Sequence, residues 1–223
     1  QDVADYDAET ADMTYNLSTG AVIGAGTDEL SGFEVYLSGS GDDTFIVHDV
    51  AANNTLNGGG GVDTADYSSD ANDLTVDLSG TDSVTGTGIG TDILSSIEVI
   101  KTGAGDDELT GSTGNDTFFG GAGADTFHGT GGADILNGEG GNDVFNGAVA
   151  SFGSTFNGGG GVDTADYGTD ADGLVVDFSG TDSVTGLLSV GTDKLDSVEV
   201  VVLGFGNDTF INGASNDTIS AAA

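Results

Sequence analysis

Residues Thr102 to Asn146 read TGAGDDELT, GSTGNDTFF, GGAGADTFH, GTGGADILN and GEGGNDVFN, five nonapeptides in strict register. The sixth position is always aspartate: Asp107, Asp116, Asp125, Asp134 and Asp143. The eighth is always large and apolar: Leu109, Phe118, Phe127, Leu136 and Phe145. Glycine dominates positions one, two and four, at Gly103, Gly105, Gly111, Gly114, Gly120, Gly121, Gly123, Gly129, Gly132, Gly138 and Gly141. A unit this short cannot bury an apolar face alone, so repetition at a fixed period predicts a solenoid whose neighbouring units stack. Single copies recur at SGSGDDTFI (Asp43), LGFGNDTFI (Asp208) and NGASNDTIS (Asp217).

A longer repeat overlies the short one. NGGGGVDTADY occupies Asn57 to Tyr67 and again Asn157 to Tyr167, ending its glycine loops at Asp63 and Asp163. LTVDLSGTDSVTG from Leu74 and LVVDFSGTDSVTG from Leu174 follow, then GTDILSSIEVI from Gly90 and GTDKLDSVEVV from Gly191. A diverged copy opens the chain at Ala4. The expected organisation is one continuous solenoid over 1–223: a first spacer with one nonapeptide (1–47), a second spacer (48–101), the nonapeptide block (102–146), a third spacer (147–203) and two terminal nonapeptides (204–221).

Within the spacers, apolar and polar residues alternate. Leu74, Val76 and Leu78 point one way and Thr75 and Asp77 the other, the pattern of a half-buried strand. Ile93, Ile97, Val99 and Ile100 suggest one longer strand, matched by Leu195, Val198, Val200 and Val202. No helical stripe appears. Turn-forming Gly, Asn, Asp and Ser punctuate the chain, and proline, which would remove ladder donors, is absent. The fold class expected is all-β, a β-helix-like solenoid of stacked parallel strands.

Charge narrows the function. Thirty-eight acidic residues face two basic ones, Lys101 and Lys194, for a net charge of -36 over 223 residues. A compact state this acidic repels itself unless cations enter. Two lysines build no basic patch, so nucleic acid and anionic membranes are excluded as partners. No apolar run approaches the ~20 residues of a membrane span, so membrane insertion is not expected. Cysteine is absent, and disulfides with it. Disorder does not fit a chain that is 36% hydrophobic, has 11 Phe and spaces its apolar residues at regular intervals.

The nonapeptide itself names a metal. Closely spaced glycines let the backbone curl until its carbonyl oxygens converge, and the aspartate adds a hard anionic oxygen. Carbonyl and carboxylate oxygens are what Ca²⁺ prefers, whereas zinc or copper would want His or Cys and Mg²⁺ keeps several waters. Each ion cancels two charges, so about ten would bring -36 to about -16. Segments of the form GTDxU at Asp28, Asp82, Asp92, Asp182 and Asp193 are either further calcium rungs or ordinary turns. His48 and His128 read as exposed strand-edge residues.

This pattern resembles the RTX family of GGxGxDxUx repeat proteins, closely over 102–146 and more loosely at Asp43, Asp63, Asp163, Asp208 and Asp217. The spacers resemble those interrupting nonapeptide arrays in large RTX surface proteins. The resemblance implies a calcium-loaded parallel β-roll in which two nonapeptides make one turn and loops 18 residues apart enclose an ion. Asp107 would face Asp125, Asp116 would face Asp134, and Asp125 would face Asp143. Asp143 would meet Asp163 after a small bulge near Gly147–Thr155. Two loops depart from the pattern: 158–163 is followed by Ala165, and 212–217 has a single glycine. The resemblance also implies export from a Gram-negative bacterium to the cell surface or beyond it.

The functional expectation is a structural, non-enzymatic calcium-binding rod of a surface adhesin, S-layer-like coat or filament. Two alternatives are a C-terminal folding and secretion module of an exported enzyme, and a polysaccharide-processing β-helix enzyme. The absence of Arg and Trp argues against the last. With no polar cap recognisable at either end, copies of the chain are expected partners end to end.

Overall fold

Strands form wherever a Gly-Asp loop hands over to its Thr-Phe-like triplet. The aspartate's carbonyl accepts the N–H of the first strand residue one rung later, as in Thr126 N to Asp107 O and Val144 N to Asp125 O, both 2.8 Å. The computed structural model describes residues 1–24, 26–48, 53–147, 153–171, 173–179, 182–186, 191–211 and 218–221. Among them are 25 strands and no helix, in an all-β parallel β-roll. The chain divides into two compact units, Gln1–Gly105 and Asp106–Ala223.

In the second unit, β13 (Glu108–Thr110), β15 (Thr126–His128), β17 (Val144–Asn146), β19 (Thr164–Tyr167), β23 (Val200–Leu203) and β25 (Thr218–Ala221) form one sheet, parallel throughout. The alternate strands β14 (Thr117–Ala122), β16 (Ile135–Gly140), β18 (Thr155–Gly160) and β22 (Gly191–Asp196) form the other, also in parallel. Successive nonapeptides thus alternate between sheets, as two repeats per turn require. Register stacks equivalent residues: Leu109, Phe127, Phe145, Ala165 and Val201 on one sheet, Phe118, Leu136, Phe156 and Leu195 on the other. All nine are buried. Phe127 stacks on Phe145 at 5.0 Å between ring centroids, and Phe145 on Phe156 at 5.3 Å. Each such side chain contributes about 1.5–3 kcal/mol by leaving water.

The first unit follows the same plan. β1 (Val3–Asp5), β5 (Val35–Leu37), β7 (Thr55–Asn57) and β11 (Gly90–Ser95) pair in parallel, and so do β2 (Thr14–Asn16), β6 (Thr44–Ile46), β8 (Thr64–Asp66) and β12 (Val99–Lys101).

The spacers correct two expectations. They are not simple parallel rungs. β9 (Leu74–Asp77), β10 (Ser83–Gly86) and β11 form an antiparallel meander, as do β20 (Leu174–Asp177), β21 (Ser183–Gly186) and β22. The opening spacer does the same with β2, β3 (Ala21–Ile23) and β4 (Thr27–Glu29). Nor is 93–100 one strand. Ser96 takes a left-handed φ of 52°, and Ser197 one of 53°, turning the chain between β11 and β12 and between β22 and β23. A corner there carries the chain from one sheet to the other. The alternation over Leu74–Leu78 is as expected, with Leu74, Val76 and Leu78 buried.

Candidate metal centres in the stacked loops

The sixth-position aspartates of the second unit are buried: Asp125, Asp143 and Asp163 are 0% exposed, Asp107 and Asp134 2%, and Asp116 5%. Main-chain geometry places them. Oδ1 of Asp125, Asp134, Asp143 and Asp163 accepts the N–H of the equivalent residue one rung earlier, in two columns. In the first, Asp107 N donates to Asp125 (2.8 Å), Asp125 N to Asp143 (2.9 Å) and Asp143 N to Asp163 (2.9 Å). Glu199 ends it, its Oε2 accepting Asp163 N at 2.8 Å. In the second column Asp116 N donates to Asp134 at 3.0 Å, Asp134 N to Ser154 Oγ at 3.0 Å, and Ser154 N to Asp193 at 2.9 Å. The first unit runs Met13 N to Asp43, Asp43 N to Asp63 and Asp63 N to Glu98.

The other oxygen is left bare. Oδ2 of Asp63, Asp125, Asp134, Asp143 and Asp163 is sealed from solvent and receives no hydrogen bond. A buried carboxylate oxygen with nothing to meet it is costly, and it must carry a proton or meet a cation. Burial, chiefly, pushes Asp125 up to about 7, against the Asp107 N–H that holds it down and with the Asp107, Asp143 and Asp106 charges adding to the rise. Burial likewise raises Asp63, Asp134 and Asp143 to about 6, and raises Asp163. Among the described residues no cluster of three His, Cys, Asp or Glu side chains surrounds any point. A cation here would therefore draw most of its ligands from main-chain carbonyls, a donor set suited to Ca²⁺.

Glycines make the room. A Cβ on Gly120 or Gly138 would run into the carboxylate of Asp125 or Asp143 of its own loop. At Gly141, φ is 148° and a Cβ would strike the Gly123 carbonyl one turn before it.

Other expected ligands are placed differently. Asp43 is buried, but its Oδ2 accepts Ser38 Oγ at 2.5 Å. Asp116 Oδ2 accepts Ser112 N at 2.8 Å within its own loop. Asp208 Oδ1 accepts Leu174 N at 3.0 Å, so this terminal loop stacks back on the third spacer. Gly103 and Gly105 lie against the turn 70–73 in the first unit. Asp217 lies outside the described residues, as does most of the bulge expected near Gly147–Thr155. His128 is half-exposed on β15, with Nε2 3.4 Å from Glu108 Oε1.

Three features escaped sequence reasoning. Asp92 and Asp193 stand at the same depth, 0% exposed, yet their Oδ2 atoms accept the hydroxyls of Tyr67 (3.1 Å) and Tyr167 (2.9 Å). Ala65 and Ala165 depart from the large eighth position, and the rings of Tyr67 and Tyr167 two residues on are fully buried. An outer ladder runs through position five, where Asp106, Asn115 and Asn142 side chains accept the N–H groups of Ala124, Ala133 and Val162, each at 2.8 Å. The frequent Asp or Asn at that position was the available signal. The third feature is Asp70, taken up below.

Paired sheets joined by glycine loops that bury bare carboxylate oxygens define a cation-binding β-roll. The model of the RTX calcium-binding nonapeptide repeat (4 copies) matches residues 95–127, 119–149 and 199–223 of this chain. No curated protein matches the chain.

Proposed function

We propose that this chain is an extracellular structural module, locked rigid by Ca²⁺ in its turns, that serves as a segment of a surface adhesin, coat or filament. Its ligands are Asp43, Asp63, Asp107, Asp116, Asp125, Asp134, Asp143, Asp163, Asp208 and Asp217, with the carbonyls of their glycine loops. One observation carries this reading: the column of buried carboxylates whose Oδ2 atoms receive no donor. Such a column stacks stably only when something positive lies between rungs. The role is mechanical rather than catalytic, and copies of the chain are its proposed partners.

A calcium titration followed by circular dichroism and light scattering tests it. β-structure that appears cooperatively with Ca²⁺ supports the module, and scattering that then climbs supports self-association. A chain whose spectrum ignores Ca²⁺ overturns the reading.

A further inference from the structure

Each nonapeptide that follows a spacer stacks on a turn lacking the GGxGxD pattern. The turns begin at a tyrosine and carry an acid three residues later: Tyr6 and Glu9, Tyr67 and Asp70, Tyr167 and Asp170. Their backbone is the same each time. The acid's N–H closes the turn on the tyrosine carbonyl, at 3.0, 2.9 and 3.0 Å in chain order. Its own carbonyl then accepts an N–H from the glycine loop: Ser40 at 3.0 Å, Ala104 at 3.0 Å and Phe205 at 2.8 Å. The second residue of each loop must be glycine because of this approach. A Cβ on Gly39, Gly103 or Gly204 would collide with the carbonyl of Glu9, Asp70 or Asp170. The turns thus occupy the place that a partner nonapeptide fills inside the repeat block.

Asp70 also presents the same bare oxygen. It is 1% exposed. Its Oδ1 accepts the main-chain N–H and the side-chain Nδ2 of Asn72, both at 2.8 Å, which fixes the carboxylate. Its Oδ2 is sealed from solvent and receives no hydrogen bond. The turn offers neither His nor Cys, and the facing segment 102–105 offers main-chain carbonyls and Thr102.

We propose that Asp70 is the spacer-side ligand of a further Ca²⁺ site, formed between the turn 67–73 and the glycine loop at 102–105. A spacer turn with no glycine-rich signature then completes a calcium-binding loop pair, and Ca²⁺ joins spacer to repeat. Oxygen-only donors and a sealed Oδ2 favour Ca²⁺ over Mg²⁺, which keeps its waters. Asp170 shares the backbone arrangement and is 4% exposed, which makes its turn the counterpart in the second unit.

This inference rests on the calcium-binding reading above, and one experiment separates their failures. Bound Ca²⁺ is counted by equilibrium dialysis and metal analysis on the full chain, on Asp70→Asn and on Asp196→Asn, whose side chain is exposed. Asn keeps the shape and the Oδ1 acceptor while removing the charge. The expected result is one ion fewer in Asp70→Asn and no loss in Asp196→Asn. An unchanged count in Asp70→Asn overturns this site alone, and a wild-type chain that binds no Ca²⁺ overturns the calcium reading itself. Crystals of the unsubstituted chain grown in Ca²⁺ give the answer without a variant: an anomalous peak bonded to Asp70 Oδ2 supports the site, and a water or empty density there overturns it.

Discussion

Asp125, in the nonapeptide block, and Asp193, in the third spacer, hold equivalent positions. Both are 0% exposed, and both accept on Oδ1 the main-chain N–H of a residue one rung earlier. They differ at the second oxygen. Asp193 Oδ2 meets the Tyr167 hydroxyl, and Asp125 Oδ2 meets no donor. One backbone slot therefore has two solutions: a hydroxyl supplied by the chain, or a charge supplied from outside. Only the second makes the fold conditional. Asp92 and Asp193 mark self-sufficient rungs, and Asp63, Asp125, Asp134, Asp143 and Asp163 mark the rungs that call for calcium.

Removing Ca²⁺ should break the comparison most completely. An ion that binds only the folded chain adds about 2.7 kcal/mol per site at a hundredfold excess over Kd. A few such sites match the ~5–15 kcal/mol that holds a typical domain together. Circular dichroism in EDTA should therefore lose most of its β-signal, and millimolar Ca²⁺ should restore it. Retention of the full signal in EDTA would show that the Tyr-capped rungs suffice.

Single substitutions sharpen the contrast. Asp125→Asn should lower the number of bound ions and raise the Ca²⁺ midpoint by about tenfold, since ligand charge sets affinity in such sites. Asp193→Asn should leave the ion count intact. Equal ion loss in the two variants would contradict the division of roles.

Acid should act in opposite directions with and without metal. The unfolded carboxyls titrate near ~3.9, whereas the folded, metal-free Asp125 titrates at about 7 and Asp63, Asp134 and Asp143 at about 6. A raised folded value means stability that is present below the unfolded value and lost as pH rises through 6 to 7. In EDTA, lowering the pH from 8 to 5 should therefore increase β-structure. In Ca²⁺, protons compete with the ion, so the calcium midpoint should rise over the same interval. An EDTA signal that falls with acid would contradict the buried, bare state of these oxygens.

The smallest expected effect belongs to the hydroxyls. Tyr167→Phe removes the hydroxyl that Asp193 Oδ2 accepts and should cost about 1 kcal/mol in chemical denaturation, with no change in ion count. An ion gained at Asp193 in this variant would mean that the hydroxyl and the cation are interchangeable in that slot.

Much of this was legible beforehand. The nine-residue period placed Phe118, Phe127, Leu136 and Phe145 in columns and the sixth-position aspartates beneath them. The two-residue alternation of Leu74–Leu78 assigned its buried face. Alternation is blind to strand direction, however, because side chains of parallel and antiparallel strands both repeat every two residues. The meanders of the spacers were hidden for that reason. The corners at Ser96 and Ser197 were hidden because serine, unlike glycine, does not advertise a left-handed backbone.

The sequence by itself determined the repeat, the charge and the class of ion. Those follow from local rules: how glycine bends a loop, which side chains bury, and which oxygens an aspartate can offer. Only the tertiary structure decided which aspartates keep a bare oxygen and which are satisfied. Tyr67 and Asp92 are 25 residues apart, Tyr167 and Asp193 are 26, and Asp70 meets its glycine loop across more than 30. Those partners are set by which rung stacks on which, a matter of register and volume along the whole unit that no nine-residue window contains.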